Sequence, residues 1–407
     1  MSPQPTRVVL FIAGLTVSLL CPGLRAAGDG DTGLWVRQAT LVSPDAIDRL
    51  VEEASDAGFT TLLVETPHAA SASTRTGRRR RSRRPRAFDG VQTLLTAAHR
   101  RGLRVHAWVQ ATLVARIGDL ATSGSPMVRQ HPEWLMVPRS LAVELARLDV
   151  HNPAYVDLLD KWVRQHPDEV EGLYQSPLIP SAASDAAARL AELLTRYRFD
   201  GVHLDSAQFP SSDFDYGRVA VGLFRDEIAP SLGSQERRLL DGRAAIDPLT
   251  YPDAFPIEWV RFRRSRVTSL VARLASVVRR LRPGSPVGVS VVADPDEAHG
   301  RRLQDWRTWA ELGFIDIACL QPGFESGDDF ERQLRSARRR VAGADLWAGI
   351  GARWLSPLET FDRIRTAHRL GTDGIMVWSY EGVTDPTQQP PGHLQQIGLA
   401  LATVPTP

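Results

Sequence analysis

Cysteine is nearly absent from this sequence of 407 residues, which contains only Cys21 and Cys319. Cys21 lies in an N-terminal segment that we expect to be removed, and the one thiol left cannot form an intramolecular disulfide. A single thiol also excludes a cysteine-rich zinc site. The fold must therefore depend on a hydrophobic core, for which 43% hydrophobic residues are sufficient.

The apolar run at residues 8–20 is shorter than the roughly 20 residues that a membrane-spanning helix needs. It follows Arg7 and precedes the sequence LRA at 24–26, which is the layout of a signal peptide. Leu20, rather than a small residue, precedes Cys21, which disfavours lipidation. We expect residues 1–27 to be a signal peptide and the protein to be exported to the periplasm or beyond, with no stable membrane span.

Lysine is also scarce, since Lys161 is the only one among 49 basic residues. The formal net charge is +2, but residues 75–86 contain eight arginines and no acidic residue, so the rest of the chain is net acidic. Such a chain has no broad basic face for a nucleic-acid backbone. We therefore expect no nucleic-acid partner.

Short runs rich in Val, Ile, Leu and Trp occur eight times, and helical patterns with apolar spacings of three and four separate most of them. Several helical patterns end in glycine before the next run, as at Gly58, Gly102 and Gly371, which suits a left-handed helix cap. Strand followed by helix eight times predicts an α/β protein with a (β/α)8 TIM barrel. The predicted strands are residues 34–40, 61–66, 104–110, 201–206, 287–293, 315–321, 346–352 and 374–380.

Three connections are too long for simple turns, namely residues 66–86, 111–183 and 207–258, after strands 2, 3 and 4. Because all three follow strands, they belong to the C-terminal face of the barrel, where TIM-barrel active sites are built. The alternative is that they are surface additions without function. We expect residues 28–383 to form the barrel and residues 384–407 to form a C-terminal helix and tail packed on it.

The fourth predicted strand contains the best catalytic candidate. Side chains alternate along a strand, so in GVHLD at 201–205 His203 and Asp205 should face the barrel axis. Asp205 is then at the C-terminal tip, where an inward carboxylate is costly to desolvate unless it is used or paired. A structural aspartate that caps a loop or pairs with an arginine is the alternative.

The sequence FDGVHLD at 199–205, followed by FP at 209–210 and FDY at 214–216, resembles the central motif of the glycosyl-hydrolase-like 10 family of bacterial barrels. The resemblance runs from about Trp35 to Glu381. It implies an exported TIM-barrel hydrolase-like protein that acts on cell-wall or environmental glycans. Further similar segments, in order, are GLRVHAW at 102–108, HPEWL at 131–135, VEGLYQSP at 170–177, QDW at 304–306 and WAGIG at 347–351.

The sequence departs from the family pattern at the expected pocket. After strand 4 the family commonly reads Asp-Tyr-x-Arg-Tyr-Pro, whereas DSAQFP at 205–210 has Gln208 in place of the arginine. Strand 2 ends in ETPH at 65–68 instead of a Gln-containing end. The sixth strand ends in CLQPGF at 319–324, where Pro-Met-x-Tyr is more usual. The alternative function is therefore a barrel with a degenerate site that binds a glycan without cleaving it.

Glycoside hydrolysis requires a second carboxyl group beside Asp205, so that one group holds a proton while the other acts as nucleophile or base. Neighbouring strands are about 5 Å apart, and the two known mechanisms use carboxyl separations of about 5 to 9.5 Å. The candidates are Asp294 and Asp296 after strand 5, Glu65 on strand 2 and Glu381 after strand 8, although DPD at 294–296 is also ordinary turn chemistry. Of these, Asp296 best matches an aspartate of the family.

Aromatic and amide side chains near the strand ends could stack on pyranose rings and hydrogen-bond to hydroxyl groups. Packing in the barrel core is the alternative, above all for the lower residues of each strand. The arginine run at 75–86 is expected to be a solvated loop, with contact to an acidic glycan as the alternative. We predict substrate contacts at His203, His106, Trp108, Gln110, Gln208, Tyr174, Gln321, Trp378 and Tyr380.

The sequence gives little indication of a metal site, a nucleotide-binding site or a serine nucleophile. A metal-dependent amidohydrolase barrel would have paired histidines near strand 1, where VRQ at 36–38 has none. No phosphate loop, dinucleotide fingerprint or serine nucleophile elbow occurs. We expect no metal and no cofactor, with a three-ligand site at His106, His203 and Asp205 as the alternative.

Overall fold

The structure is a computed structural model that describes residues 30–66, 88–119, 126–321 and 326–403. The features from the sequence analysis that lie outside these residues are the expected signal peptide at 1–27, residues 67–68 after strand 2, the arginine run at 75–86, residues 322–324 after the sixth strand and residues 404–407 of the expected C-terminal tail.

Eight parallel strands close into a barrel, which confirms the predicted TIM-barrel fold. Every predicted strand overlaps one of them, with the largest differences at the first and last strands. The barrel strands are β1 (Asp31–Val36), β2 (Thr61–Glu65), β3 (Arg104–Gln110), β6 (Gly201–Asp205), β7 (Val287–Val291), β8 (Ile317–Leu320), β9 (Asp345–Ile350) and β10 (Gly374–Val377). Around the barrel they follow the order β1, β10, β9, β8, β7, β6, β3, β2.

Two short strands, β4 (Leu113–Arg116) and β5 (Gly172–Tyr174), pair antiparallel outside the barrel. Both belong to the long connection after β3. The helices are α1 (Pro44–Asp56), α2 (Gly90–Arg100), α3 (Pro126–Gln130), α4 (Ala142–Ala146), α5 (Pro153–Gln165), α6 (Pro180–Arg196), α7 (Arg218–Ile228), α8 (Ser234–Ala244), α9 (Thr250–Ala254), α10 (Pro256–Leu281), α11 (Trp306–Glu311), α12 (Gly327–Arg338), α13 (Pro357–Arg369), α14 (Tyr380–Thr384) and α15 (His393–Thr403).

Helix α1 shows how local sequence sets these elements. The Ser43 side chain accepts a hydrogen bond from the backbone N–H of Ala46, and proline occupies the first helical position. The apolar spacing of three and four places Ile47, Leu50, Val51 and Ala54 on the buried face. Gly58 follows the helix at φ 76°, a left-handed conformation that favours glycine. The chain then returns to the barrel at β2.

The barrel interior is filled by bulky inward side chains that lie beside glycines of the next strand. A Cβ atom at Gly201 would be 2.6 Å from His106 Nε2, and one at Gly288 would be 2.6 Å from His203 Nδ1. Large and small residues therefore alternate between strands, as filling of a tapered barrel requires. This packing fixes both histidine rings inside the barrel.

At the C-terminal end of the chain, α15 packs against α1 and α13. A Cβ atom at Gly398 would be 2.8 Å from the Cα of Ala57, so the glycine permits this close approach. Among the residues that the structure describes, no helix combines the length and the apolar character that crossing a membrane requires.

Candidate active site

Asp205 is the last residue of β6, level with Gln110 at the end of β3. Its Oδ2 atom accepts hydrogen bonds from Trp108 Nε1 at 2.9 Å and from Gln110 Nε2 at 3.2 Å. Its Oδ1 atom accepts a bond of 2.9 Å from the backbone N–H of Ser206. All three donors are uncharged, and no ion pair to Asp205 occurs within the described residues. The arginine-paired alternative thus finds no support in these contacts, whereas the bond from Ser206 N fits an aspartate that caps the following loop.

Ser206 turns the chain directly after this carboxylate. Its φ of 50° lies in the left-handed region, which is uncommon for a residue other than glycine. The Ser206 carbonyl accepts a hydrogen bond from Thr112 Oγ1, so the connection after β3 supports the turn. Strain of this kind is concentrated at functional sites.

Glu171, which the sequence analysis did not select, is a second carboxylate of the same mouth. It lies just before β5, where its carbonyl accepts a 2.9 Å bond from Ile117 N. Its Oε2 atom is 3.1 Å from Arg116 Nη1. Arg116 itself lies over the Trp108 ring at 5.9 Å, and Trp108 contacts Asp205. This chain of contacts brings Glu171 to the barrel mouth.

The surroundings of Glu171 raise the pKa of its carboxyl group. Burial raises the pKa of Glu171, and the negative charge of Asp205 raises it further, while the cations Arg116, Arg37 and Arg302 oppose the shift. The Glu171 side chain is nevertheless 62% solvent-accessible. A carboxyl group that has protein atoms on several sides and water on one side, as at the mouth of a cleft, accounts for both the raised pKa and the exposed side chain.

Glu65, at the end of β2, is the other candidate that the structure brings into this mouth. Its Oε1 atom is 3.2 Å from Arg116 Nη2, and its Oε2 atom accepts a 3.3 Å bond from Gln38 N. Strand β3 separates β2 from β6, so these two strands are about 10 Å apart. The register places Glu65 level with Trp108 and His203, two residues below Asp205, and both oxygens of Glu65 are already bonded.

Glu381, on the helix after the last barrel strand, accepts hydrogen bonds from residues that follow the first strand. Its Oε1 atom accepts hydrogen bonds from Arg37 N at 2.7 Å and from Thr40 Oγ1. Its Oε2 atom is buried and has no hydrogen-bond partner among the described residues. These contacts favour a structural clamp over direct action beside Asp205.

Asp296 is exposed in the turn after β7. The Oδ1 atom of Asp294 accepts bonds from Asp296 N at 3.0 Å and Glu297 N at 2.8 Å, which is ordinary Asx-turn chemistry. Within the described residues, no hydrogen bond or ion pair joins the Asp296 carboxylate to Asp205. The expectation that Asp296 is the best second carboxylate finds no support in this geometry.

Trp108 does not form an exposed sugar platform, because its side chain is only 1% exposed. It packs with Trp35 and Trp378 at centroid distances of 5.2 to 6.3 Å. Trp378 is partly exposed, and the guanidinium of Arg37 lies 5.6 Å from its ring centroid. Trp108 therefore acts on the site through its N–H donor, and Trp378 is the aromatic ring of this group that remains accessible.

The structure corrects the expectation that His106 contacts substrate at the mouth. His106 is level with Gly201, the first residue of β6, and therefore about 13 Å below Gln110 along the strand. It lines a cavity of about 510 Å³ at the opposite end of the barrel, with Asp31 and Arg104. Burial lowers the pKa of His106 to about 3. Its ring is inward, as alternation predicts, but at the wrong end.

His203 is also buried beneath the mouth. Its Nε2 atom is 2.9 Å from Ser290 Oγ, and the Trp35 ring meets it edge-on at 5.7 Å. Burial lowers the pKa of His203 to about 4, so the ring is neutral near neutral pH. These contacts make it a support beneath Asp205. The three-ligand metal alternative fails with His106, and the part of the chain described contains no cluster of three or more potential metal-binding side chains.

Tyr380 and Tyr174 are also directed to protein partners. The Tyr380 hydroxyl donates a 2.9 Å bond to Glu53 Oε2 on α1, away from the mouth, which corrects its expected role in sugar binding. The Tyr174 side chain is 6% exposed, and its hydroxyl accepts a 3.1 Å bond from Glu171 N. Tyr174 thus positions the chain at Glu171 instead of forming a rim contact.

Three glutamines remain as candidate substrate contacts. The Oε1 atoms of Gln110 and Gln208 are buried without a hydrogen-bond partner among the described residues. Buried polar atoms are usually bonded, so these two free acceptors, one of them on the Gln110 side chain that contacts Asp205, suit the hydroxyl donors of a sugar. Gln321 directly follows β8 and is partly exposed.

A closed barrel of eight parallel strands defines the TIM-barrel class, whose active sites are built at the C-terminal mouth where these carboxylates lie. Residues 68–342 match the model of the family Glycosyl hydrolase-like 10. The chain belongs to that family, which confirms the resemblance recognised in the sequence.

Curated relatives agree with this assignment. Glycosyl hydrolase DigH of Escherichia coli K12 is 24% identical over 280 residues, which cover 65% of this chain and 51% of the relative. DigH of Shigella flexneri matches with the same figures. The chain therefore spans about half the length of the curated relatives that it matches.

Solved structures share the fold. The glycoside hydrolase domain of PgaB (BpsB) from Bordetella bronchiseptica matches with a TM-score of 0.57 and 13% identity, over 88% of this chain and 97% of that one. The catalytic domain of β-amylase from Paenibacillus polymyxa matches with a TM-score of 0.60 and 10% identity, over 93% and 99%. At these identities the likeness concerns the fold alone.

Proposed function

We propose that this protein is a glycoside hydrolase that cleaves O-glycosidic bonds of a polysaccharide, with Asp205 and Glu171 as its reacting carboxyl groups. The observation that carries the proposal is the opposed environment of the two groups. Asp205 is held by three uncharged donors, while burial and the charge of Asp205 raise the pKa of Glu171. Two carboxyls with different environments at one mouth suit the division into base and acid that glycoside hydrolysis needs.

In this mechanism Glu171 is the general acid. It donates its proton to the glycosidic oxygen as the bond from the anomeric carbon to that oxygen breaks, and the leaving sugar departs as an alcohol. Asp205 either attacks the anomeric carbon, giving a glycosyl ester that water hydrolyses with the ionised Glu171 as base, or removes a proton from a water that attacks the anomeric carbon directly. The hydrogen bonds from Trp108 and Gln110 orient the Asp205 carboxylate for either role.

The substrate class is proposed on the basis of family and sequence. The family is described as glycosyl hydrolase-like, the named relatives are glycosyl hydrolases, and residues 1–27 have the layout of an export signal. We propose an exported enzyme that acts on a cell-wall or environmental polysaccharide. Mass spectrometry of the secreted or periplasmic protein tests the export, and a chain that retains residues 1–27 contradicts it.

The experiment uses residues 28–407 purified and incubated with a panel of polysaccharides that includes peptidoglycan, with released products identified by mass spectrometry. On any glycan that is cleaved, Asp205→Asn and Glu171→Gln should each reduce turnover by about 10²- to 10⁴-fold while circular dichroism remains unchanged. Asp296→Asn serves as the matched carboxylate control, and we expect it to retain activity.

Three outcomes contradict parts of the proposal. Full activity of Asp205→Asn removes Asp205 from the chemistry, and full activity of Glu171→Gln moves the search to Glu65. If the wild-type protein binds a glycan in isothermal titration but cleaves none on the panel, the protein is a glycan-binding barrel with a degenerate site.

A further inference from the structure

We propose that Arg116 and Glu65 form a positioning pair for Glu171, in which one guanidinium shared between two carboxylates sets the place and the acid strength of Glu171. Neither member of the pair needs to contact the substrate. The inference rests on the proposed function insofar as Glu171 is the general acid. It also removes Glu65 from the candidates for direct chemistry.

The geometry of Arg116 carries the proposal. Its Nη1 atom is 3.1 Å from Glu171 Oε2 and its Nη2 atom is 3.2 Å from Glu65 Oε1. The guanidinium also lies over the Trp108 ring at 5.9 Å. Arg116 and Glu65 are only 21% and 16% exposed, so this ion pair is much less screened than a pair at the open surface.

The pair joins two parts of the fold that the chain builds separately. Glu65 is the last residue of barrel strand β2. Arg116 is the last residue of β4, which together with β5 forms the two-stranded sheet that we call the inserted sheet. Across that sheet Arg116 pairs in register with Gly172, which directly follows Glu171. The ion pair to Glu65 therefore fixes the inserted sheet, and with it Glu171, over the barrel mouth.

The two oxygens of Glu65 are occupied by Arg116 and by the backbone N–H of Gln38. Asp205 accepts only from uncharged donors, and Glu171 is bonded through Oε2 alone, whereas Glu65 holds a cation with one oxygen and a backbone N–H with the other. This is the physical reason for assigning Glu65 a positioning role.

Several charged groups act on Glu171, and Arg116 is the one in direct contact. Asp205 favours the protonated form of Glu171, while Arg116, Arg37 and Arg302 favour its ionised form. Tyr174 adds no charge, because its hydroxyl accepts the Glu171 backbone N–H.

Since Glu65 engages the same guanidinium, it offsets part of the positive charge that Glu171 experiences. Removal of Arg116 should therefore strengthen proton binding by Glu171, and removal of the Glu65 charge should weaken it.

The test is a carbon-13 NMR titration of residues 28–407 labelled at the glutamate carboxyl carbons, with Glu171→Gln used to assign the Glu171 signal. Arg116→Met should raise the midpoint of the Glu171 titration by about 0.5 to 1 pH unit, and Glu65→Gln should lower it by a similar amount. Arg164→Met is the matched control, because Arg164 pairs with Asp160 on α5 and should leave the midpoint unchanged.

Opposite shifts are the signature of a shared counter-ion, because general loosening of the structure would move both variants in the same direction. Shifts of the same sign, or none in either variant, overturn the proposal. If Arg116→Met does not fold, Glu65→Gln decides alone, since it keeps the side-chain shape and must still lower the midpoint.

The titration needs no substrate, so its failure is separate from failure of the proposed function. Opposite shifts without hydrolysis of any glycan would retain the positioning pair and reject the hydrolase. If a glycan is cleaved, the alkaline limb of kcat/KM should move up in Arg116→Met and down in Glu65→Gln, because that limb reports deprotonation of the general acid.

Discussion

The indole N–H of Trp108 donates a 2.9 Å hydrogen bond to Oδ2 of Asp205, and the same ring packs against the guanidinium of Arg116 at 5.9 Å. One buried tryptophan thus contacts the proposed nucleophile or base on one side and the partner of the proposed acid on the other. Its position between the two groups makes the barrel core part of the site's geometry.

Trp108→Phe tests this relationship. Phenylalanine retains most of the packing but lacks the N–H donor. A hydrogen bond to a charged group contributes about 1.5 to 3 kcal/mol, so turnover of a cleaved glycan should fall by about 10- to 150-fold. Trp347→Phe is the matched control, because Trp347 is equally buried and its Nε1 atom has no hydrogen-bond partner among the described residues. An equal decrease in both variants would assign the effect to packing alone.

Gly172→Ala tests how Glu171 is held. A Cβ atom at Gly172 would lie 1.8 Å from the carbonyl oxygen of Ala115, so β4 and β5 could not keep their pairing. We expect the barrel to fold and hydrolysis to fall at least about 10-fold as Glu171 moves away from Arg116. Gly242→Ala on α8 is the control, since its Cβ meets nothing within 4 Å, and it should be stabilising by about 0.5 to 1 kcal/mol. Unchanged kcat/KM in Gly172→Ala would contradict the proposed position of Glu171.

The fold was predictable because the eight strands carry strong apolar runs separated by helical periodicity. Alternation along β6 also placed Asp205 at the mouth. Glu171 could not be found in this way, because an antiparallel contact between β4 and β5 determines its position, and that contact joins residues far apart in sequence. The segment VEGLYQSP at 170–177 resembled the family, but a resemblance alone does not say which of its side chains reaches the mouth.

Two wrong expectations have specific physical reasons. Tyr380 was placed inward by extending the alternation of the last strand, but β10 ends at Val377 and α14 begins at Tyr380, so the period of two no longer applies. His106 does face the barrel axis, yet alternation gives the face of a strand and not the height. The register with Gly201 places it at the N-terminal end.

Tyr380→Phe checks the corrected role of Tyr380. The variant loses the hydrogen bond to Glu53, which joins α14 to α1, and the free energy of unfolding should decrease by about 0.5 to 1.5 kcal/mol. Activity and glycan affinity should remain as in the wild type, because the hydroxyl does not reach the mouth. Chemical denaturation measures the first quantity and isothermal titration the second. A large decrease in affinity with unchanged stability would restore Tyr380 to the binding site.

The last prediction concerns Asp215, which is 1% exposed and lies in the connection that follows Asp205. Its Oδ1 atom accepts hydrogen bonds from Val137 N at 2.8 Å and Gly217 N at 3.0 Å. Burial raises the pKa of Asp215 from 3.8 to about 6, against the opposing effects of these donors and of the charge of Arg263. The folded state therefore holds the Asp215 proton more tightly than the unfolded state.

Because the folded-state pKa of Asp215 is the higher one, its contribution to stability is greatest below about pH 4 and decreases as the pH rises to about 6. Asp215→Asn keeps the acceptor oxygen and cannot ionise. The free energy of unfolding of the wild type, measured relative to that of the variant, should fall by about 3 kcal/mol between about pH 3 and pH 7, with about 2 kcal/mol of this between pH 4 and pH 6, and be nearly constant above pH 7. The buried His106 and His203 have lowered pKa values and act in the opposite direction, but they are common to both proteins and cancel in the difference.

Urea denaturation at intervals of half a pH unit measures this difference. Parallel curves for the two proteins would show that Asp215 is ionised throughout. The hydrogen-bond donors and Arg263 would then lower its pKa by more than burial raises it.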